Sequence, residues 1–293
     1  MKLTISGYST ALFATWYLLE ELGVLMDAGD GLTAALLQKS RKINHVFISH
    51  ADRDHLTGLL QLNQLNARVG FPVIYYPRDS KSFPAMESFS KKFDPHVAGT
   101  QWRGVVPGEE IWIKDDVVVI PVRNEHVDAA PDVIRSLSYQ VMRVKQKVKP
   151  ELAVLPPEEI RRIIMERGKE STTMEVRESL VGYSGDTPVA DPERWDGTNI
   201  LIHEATFLDK EEDIKVVPYK NKHSRLEEVL EMVSRIRVNK LILGHFSSRY
   251  TPEQIDARIR ELYHKYALKI PVYRILPGVT VRDILSGEVV AGR

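Results

Sequence analysis

The 293-residue sequence contains no cysteine. That absence excludes disulfides, thiolate zinc sites and cysteine nucleophiles. The chain also lacks a net charge, because forty Lys and Arg balance forty Asp and Glu. Any grip on nucleic acid must then come from local patches rather than from bulk attraction. No apolar run approaches the roughly 18 residues needed to cross a membrane. The N-terminus, "MKLTISGYSTALFATWYLLEELG", has no basic region leading into an apolar block and a small-residue cleavage site. A cytoplasmic protein is expected. There is no period-length repeat and no low-complexity tract. What is present is an ordinary globular composition, 43% hydrophobic and 27% charged, with length for one large domain or two modest ones.

Short β-rich runs alternate with helical patterns. "LTISGY", "GVLMDAG", "HVFISH", "PVIYYP", "VVVIPVRN", "SLVGYSGD", "NILIHEAT" and "KLILGHFS" read as strands punctuated by Gly, Pro and Asp. "DGLTAALLQKSRKI", "DHLTGLLQLNQLNA" and "SRLEEVLEMVSRIRV" carry apolar residues at helical spacing. Strand-rich halves with intervening helices predict two packed sheets covered by helices. Residues 143–180 break the pattern with charge and with Pro150, Pro156 and Pro157. They read as an inserted excursion between two strands, with a short helix at "PEEIRRIIMERG".

The chemistry concentrates in "VFISHADRDHLTGLL". Two histidines and two aspartates, His50, Asp52, Asp54 and His55, fall within six positions after an apolar run. Imidazole and carboxylate suit zinc, manganese or iron. A solvated turn leading into an Asp-capped helix would look the same in isolation. Other ionisable residues also follow apolar, strand-like runs: His126, Asp186, His203 with Glu204, and His245. Ligands collect at that end of the strands in layered α/β folds. His45 and His264 read as structural or exposed. His96 follows a proline turn, and His203 would point to the face opposite its neighbour Glu204.

"SHADRDHLTGL", His126 ahead of "SLSYQV", "YSGDT", "HEATF" and "LILGHFSSRYT" occur in the order of the metallo-β-lactamase superfamily. They resemble its ribonuclease Z branch, the tRNA 3′-processing endonucleases, over most of the chain. The excursion resembles the short version found in some members rather than the long glycine-rich arm of others. The resemblance implies an α/β (α+β) fold, an αββα four-layer sandwich, as one domain over 1–293. It implies two divalent metal ions, zinc or manganese. One would take His50, position 52 and His126, the other Asp54, His55 and His245, with Asp186 bridging. A pair of cations about 3.5–4 Å apart suits in-line attack of water on phosphorus. Asp54 would orient that water, and Glu204 with His223 would protonate the leaving 3′-oxygen. The implied substrate is a tRNA precursor and the implied assembly a homodimer.

One position departs from the family pattern His-x-His-x-Asp-His: Asp52 stands where the second His belongs. A carboxylate can still coordinate, but it shifts preference toward Mn²⁺, Mg²⁺ or Fe²⁺. Lys145, Lys147 and Lys149 alternate along an extended segment, which suits contact with a phosphate backbone. They equally suit a solvated strand edge. Arg161, Arg162 and Arg167 could extend the patch, but Glu158, Glu159 and Glu166 interleave them. Two further readings stay open: hydrolysis of a small phosphodiester or other small substrate on the same fold, and a non-catalytic binding subunit with an altered site.

Overall fold

The computed structural model describes residues 1–208 and 222–292. Among these residues thirteen strands form two sheets. The first has six: β1 (Ile5–Thr10), β2 (Ala14–Leu19), β3 (Val24–Met26), β4 (His45–Phe47), β5 (Val73–Pro77) and β6 (Gln101–Val105), side by side in chain order. The second has seven: β7 (Ile111–Lys114), β8 (Val117–Arg123), β9 (Leu137–Val148), β10 (Thr173–Tyr183), β11 (Thr198–Glu204), β12 (Val238–Gly244) and β13 (Val272–Arg274), also in chain order. Pairing is antiparallel from β1 to β3 and parallel from β3 to β6. In the second sheet it is antiparallel from β7 to β10 and parallel from β10 to β13.

The described residues also form seven α-helices: α1 (Leu32–Leu36), α2 (Arg53–Leu56), α3 (Leu59–Asn66), α4 (Ser82–Phe93), α5 (Pro157–Arg167), α6 (Leu226–Arg235) and α7 (Pro252–Lys265). Strand side chains alternate between faces, and each sheet buries both. On β2, Tyr17 and Leu19 point into the layer between the sheets, where they join Phe47, Tyr139, Val181, Ile202 and Ile242. Trp16 and Leu18 point outward under Leu32, Leu59, Leu62 and Phe83. On β11, Ile200 and Ile202 face inward, whereas Leu201 packs outward with Leu226, Leu230, Ile255 and Ile259 of α6 and α7. The layers are therefore helix, sheet, sheet, helix. Burial on both faces also explains why these strands read as apolar runs rather than as alternating ones. No helix among the described residues is long and apolar enough to cross a membrane.

Two predicted helices are broken. "DGLTAALLQKSRKI" yields only the short α1 before Leu37, whose backbone turns to φ 49°, and a 3₁₀ segment continues from there. "DHLTGLLQLNQLNA" divides into α2 and α3 at Gly58. That amide donates to the Ala28 carbonyl at 2.8 Å, and a Cβ there would lie 2.3 Å from the Gly29 carbonyl oxygen. The backbones of two segments touch at this point, so no side chain fits. Residues 143–180 are also more regular than expected. Their flanks continue β9 and β10 as a long antiparallel ribbon, and α5 at its end buries none of its residues.

The close approach at Gly58 joins the segment carrying the aspartates to the β3 loop. Gly58→Ala is therefore expected to destabilise the protein by more than about 3 kcal/mol, read from denaturant midpoints. His45 supplies a second test. Burial first, and the nearby Arg68 second, lower its pKa to about 4. The unfolded chain then binds the extra proton as pH falls from 6.5 toward 4, so stability present above pH 6.5 is lost through that window. His45→Phe should flatten the pH dependence of the unfolding midpoint there, and an unchanged slope would refute the assignment.

Candidate metal centre

The ends of strands from both sheets converge at one edge of the sandwich. Asp27 follows β3 and Ser49 and His50 follow β4 in the first sheet. His126 follows β8, Asp186 follows β10, Glu204 ends β11 and His245 follows β12 in the second. Asp52 precedes α2, which carries Asp54 and His55. His223 precedes α6. Parallel strands deliver their C-terminal ends together, and so residues far apart in sequence become neighbours.

The side chains fall into two adjoining groups, one of His50, Asp52 and His126 and the other of Asp54, His55, Asp186 and His245. In the first group Asp52 Oδ2 lies 3.6 Å from His50 Nε2 and 3.7 Å from His126 Nε2. In the second, Asp186 Oδ2 lies 3.2 Å from both His55 Nε2 and His245 Nε2, and Asp54 Oδ2 lies 3.5 and 3.4 Å from the same two atoms. Asp186 Oδ2 is also 3.7 Å from His50 Nε2, which places it between the groups. Ligand bonds of about 2.0–2.2 Å in tetrahedral geometry separate ligand atoms by about 3.4 Å, and these distances are of that size.

Hydrogen bonds behind the imidazoles set which nitrogen faces inward. His55 Nδ1 donates to Asp27 Oδ2 at 2.7 Å, and His126 Nδ1 donates to the Lys222 carbonyl at 2.7 Å. Ser49 Oγ gives its proton to Asp27 Oδ2 at 2.7 Å, so it accepts from His50 Nδ1 at 2.9 Å. Thr206 Oγ1 likewise donates to Glu204 Oε2 at 2.5 Å and accepts from His245 Nδ1 at 2.8 Å. In each ring Nδ1 carries a proton, and Nε2 is the atom that faces the cluster. Nε2 of His50, His55 and His126 is buried without a hydrogen-bond partner. Orphaned buried nitrogens are costly, and a divalent cation supplies what all three need. The donor set therefore fits metal.

Charge supports the same geometry. Burial opposes ionisation of Asp186, but the neighbouring His245 and His55 outweigh it and hold its carboxyl well below the usual range. His50 is pushed down, by burial first and by His55 and His126 after it, so it is a neutral ligand. Glu204 and His223 form a separate pair at the margin, with His223 Nδ1 3.2 Å from Glu204 Oε1. Burial disfavours a charged His223, yet the Glu204 carboxylate raises its pKa to about 9.

A family model described as "Beta-lactamase superfamily domain" matches residues 23–155. Over that stretch the chain is similar to the superfamily. The chain is similar to the chloroplastic tRNase Z TRZ2 of Arabidopsis thaliana, 28% identical over 279 residues, covering 91% of this chain and 73% of that one. It is also similar to a ribonuclease Z of Methanopyrus kandleri, 26% identical over 244 residues and 82% of each chain. The solved structure of the short form of human tRNase Z superposes with a TM-score of 0.58 at 16% identity, covering 96% of this chain and 99% of that one, and so shares the fold.

All seven ligand candidates from the sequence, with Glu204 and His223, lie in this cluster. The ribbon lysines are placed differently. Lys145 and Lys147 both reach Glu178 on the paired strand, at 2.6 and 3.5 Å, and Lys149 lies just past the end of β9. His96 sits on an exposed 3₁₀ turn, and His45 packs beside Phe71 and Tyr75. His203 is buried, with Nδ1 donating to the Glu204 carbonyl. Sequence reasoning missed Asp27, Ser49 and Thr206. Asp27 did carry a signal, since it follows the apolar run "VLM" just as the other acids follow theirs.

Because Asp27 orients His55 directly and His50 through Ser49, Asp27→Ala should weaken divalent-ion affinity about 10–100-fold. Calorimetric titration of the metal-free protein with Mn²⁺ and Zn²⁺ would check this, and unchanged affinity would remove Asp27 from the account. Asp52→His should raise Zn²⁺ affinity relative to Mn²⁺ in the same titration. Equal zinc binding by variant and parent would exclude a ligand role for position 52.

Proposed function

We propose that the protein is a metal-dependent phosphodiesterase of the ribonuclease Z type, which removes 3′ trailers from tRNA precursors. The observation that carries this reading is the Glu204–His223 pair set against a seven-ligand cluster. A structural metal site has no use for a charged imidazole, whereas hydrolysis of an RNA phosphodiester needs a proton for the departing 3′-oxygen. The curated relatives named above are ribonucleases Z and match over most of the chain.

In this reading the chain is one domain, with the β9–β10 ribbon and α5 as an arm, and it works as a homodimer. His50, Asp52 and His126 would hold one divalent ion, and Asp54, His55 and His245 a second, with Asp186 lying between the two groups. When bound, the ions supply Lewis acidity toward the phosphoryl oxygens and a more acidic water. Asp54 accepts the proton of the attacking water, whose oxygen bonds to phosphorus as the P–O3′ bond breaks. His223 is held by Glu204 through Nδ1 and gives its Nε2 proton to the leaving 3′-oxygen. A pKa near 9 keeps that proton in place at neutral pH. Asp52 moves the first site toward Mn²⁺, Fe²⁺ or Mg²⁺ and away from Zn²⁺. Lys145, Lys147 and Lys149 serve as backbone contacts.

A second reading changes only the substrate, to a small phosphodiester. The observation favouring it is that Glu178 already engages Lys145 and Lys147, which reduces the electrostatic hold on a polyanion.

The test is incubation of a 3′-extended precursor tRNA with the protein, with Mn²⁺ and Zn²⁺ in separate reactions. The expected result is a single cut beside the discriminator base or the CCA end. His223→Ala should then lower kcat about 10²–10⁴-fold. No cut with either ion, from folded and metal-loaded protein, would overturn the tRNA reading in favour of the small diester.

A further inference from the structure

The β1–β2 turn leaves two apolar side chains in water beside the metal centre. Leu12 is 89% exposed and Phe13 61% exposed. Leu12 holds a left-handed backbone at φ 71°, a conformation costly for a γ-branched residue and seen mainly where surrounding structure enforces it. Two contacts enforce it here. The Ala11 amide donates to the Phe246 carbonyl at 3.3 Å, next to His245. The Leu12 amide donates to Asp54 Oδ2 at 3.1 Å. The turn is thus fastened to a carboxylate of the cluster, and Phe13 stands one peptide away, about 3.8 Å between Cα atoms.

Phe13 forms one wall of a cavity of about 330 Å³ on the outer face of the first sheet, lined also by Tyr8, Trp16, Asp30 and Thr280. Tyr8 and Trp16 are directly paired across β1 and β2, which puts both rings on the cavity side of the hairpin. The cavity therefore combines the rings of Tyr8 and Phe13, over the buried Trp16, with a carboxylate and a hydroxyl. Gly31 N–H takes Asp30 Oδ1 at 2.8 Å, leaving Oδ2 to accept from a ligand. A carboxylate repels phosphate, so this cavity does not suit the backbone of a nucleic acid. It suits a base, which offers a flat π face to the rings and an amino or ring N–H to the acid. Its volume lies at the lower end of small-ligand pockets.

We propose that the cavity bounded by Tyr8, Phe13, Trp16 and Asp30 is a nucleobase subsite that receives an unpaired base adjoining the scissile phosphate. This rests on the phosphodiesterase reading above and adds to it a recognition element outside the metal cluster. Because the Leu12 amide fastens the same turn to Asp54, a base seated on Phe13 would be positioned relative to the carboxylate that handles the attacking water.

Precursor tRNAs carrying 5-iodouridine on either side of the cleavage position would be photo-crosslinked to the metal-loaded protein and the adducts mapped. Adducts are expected on the peptide containing Tyr8 to Trp16. Phe13→Ala should raise KM for the RNA about tenfold or more with a smaller change in kcat, and Phe13→Trp should restore it. Cleavage that proceeds with adducts mapping elsewhere and KM indifferent to residue 13 would overturn the subsite alone. A wild-type protein that neither crosslinks nor cleaves the RNA would overturn the subsite together with the reading on which it rests.

Discussion

The buried carboxylate of Asp27 is the constraint on which the centre depends. Its side chain is fully enclosed, a position that a carboxylate occupies only when its lone pairs are taken. Ser49 donates to it through both backbone and side chain, and His55 donates through Nδ1. The Tyr183 hydroxyl reaches it from the other sheet, at 2.5 Å. One carboxylate therefore fixes the orientation of His55, fixes His50 through Ser49, and ties the first sheet to the second where the metal ligands emerge. Asp27 itself adopts φ 55°, so local backbone strain is accepted to aim the group. Leu12 and His245 also have positive φ, and all three lie at this centre. Strain of this kind is characteristic of sites whose geometry is set by function rather than by local preference.

The sandwich supplies what the carboxylate organises. Four parallel strands of the second sheet and two of the first release their ligand-bearing loops at the same edge, above a core of Tyr17, Phe47, Tyr139 and Tyr183. That core excludes water from beneath the cluster. The polar groups there must accordingly satisfy one another, and the imidazole Nδ1 atoms do so against Asp27, Ser49, Thr206 and the Lys222 carbonyl. Only the Nε2 atoms remain to face a cation. Tautomer choice, ligand direction and burial are thus consequences of one packing arrangement.

Much of this was legible in the sequence because the signals were local. "SHADRDH" carries four candidate ligands on one turn, and each later candidate follows an apolar run that could only be a buried strand. The layered architecture followed from alternating strand and helix patterns, and the expected excursion helix at "PEEIRRIIMERG" forms as α5. What escaped depended on contacts between distant segments. The helix through "DHLTGLLQLNQLNA" breaks because Gly58 meets the backbone at Ala28 and Gly29, and no local pattern encodes that encounter. β2 was passed over because no Gly, Pro or Asp separates "ATWYLL" from "LTISGY" before it. That Glu178 on the paired strand lies within reach of Lys145 and Lys147 likewise depends on strand pairing.

The two-ion centre is tested most directly by the number and position of the ions. Crystals of the protein grown with Mn²⁺ and measured at the manganese absorption edge should give two anomalous peaks about 3.5–4 Å apart. One peak is expected between His50, Asp52 and His126, the other between Asp54, His55 and His245, with Asp186 touching both. A single peak, or peaks outside these seven side chains, would contradict it.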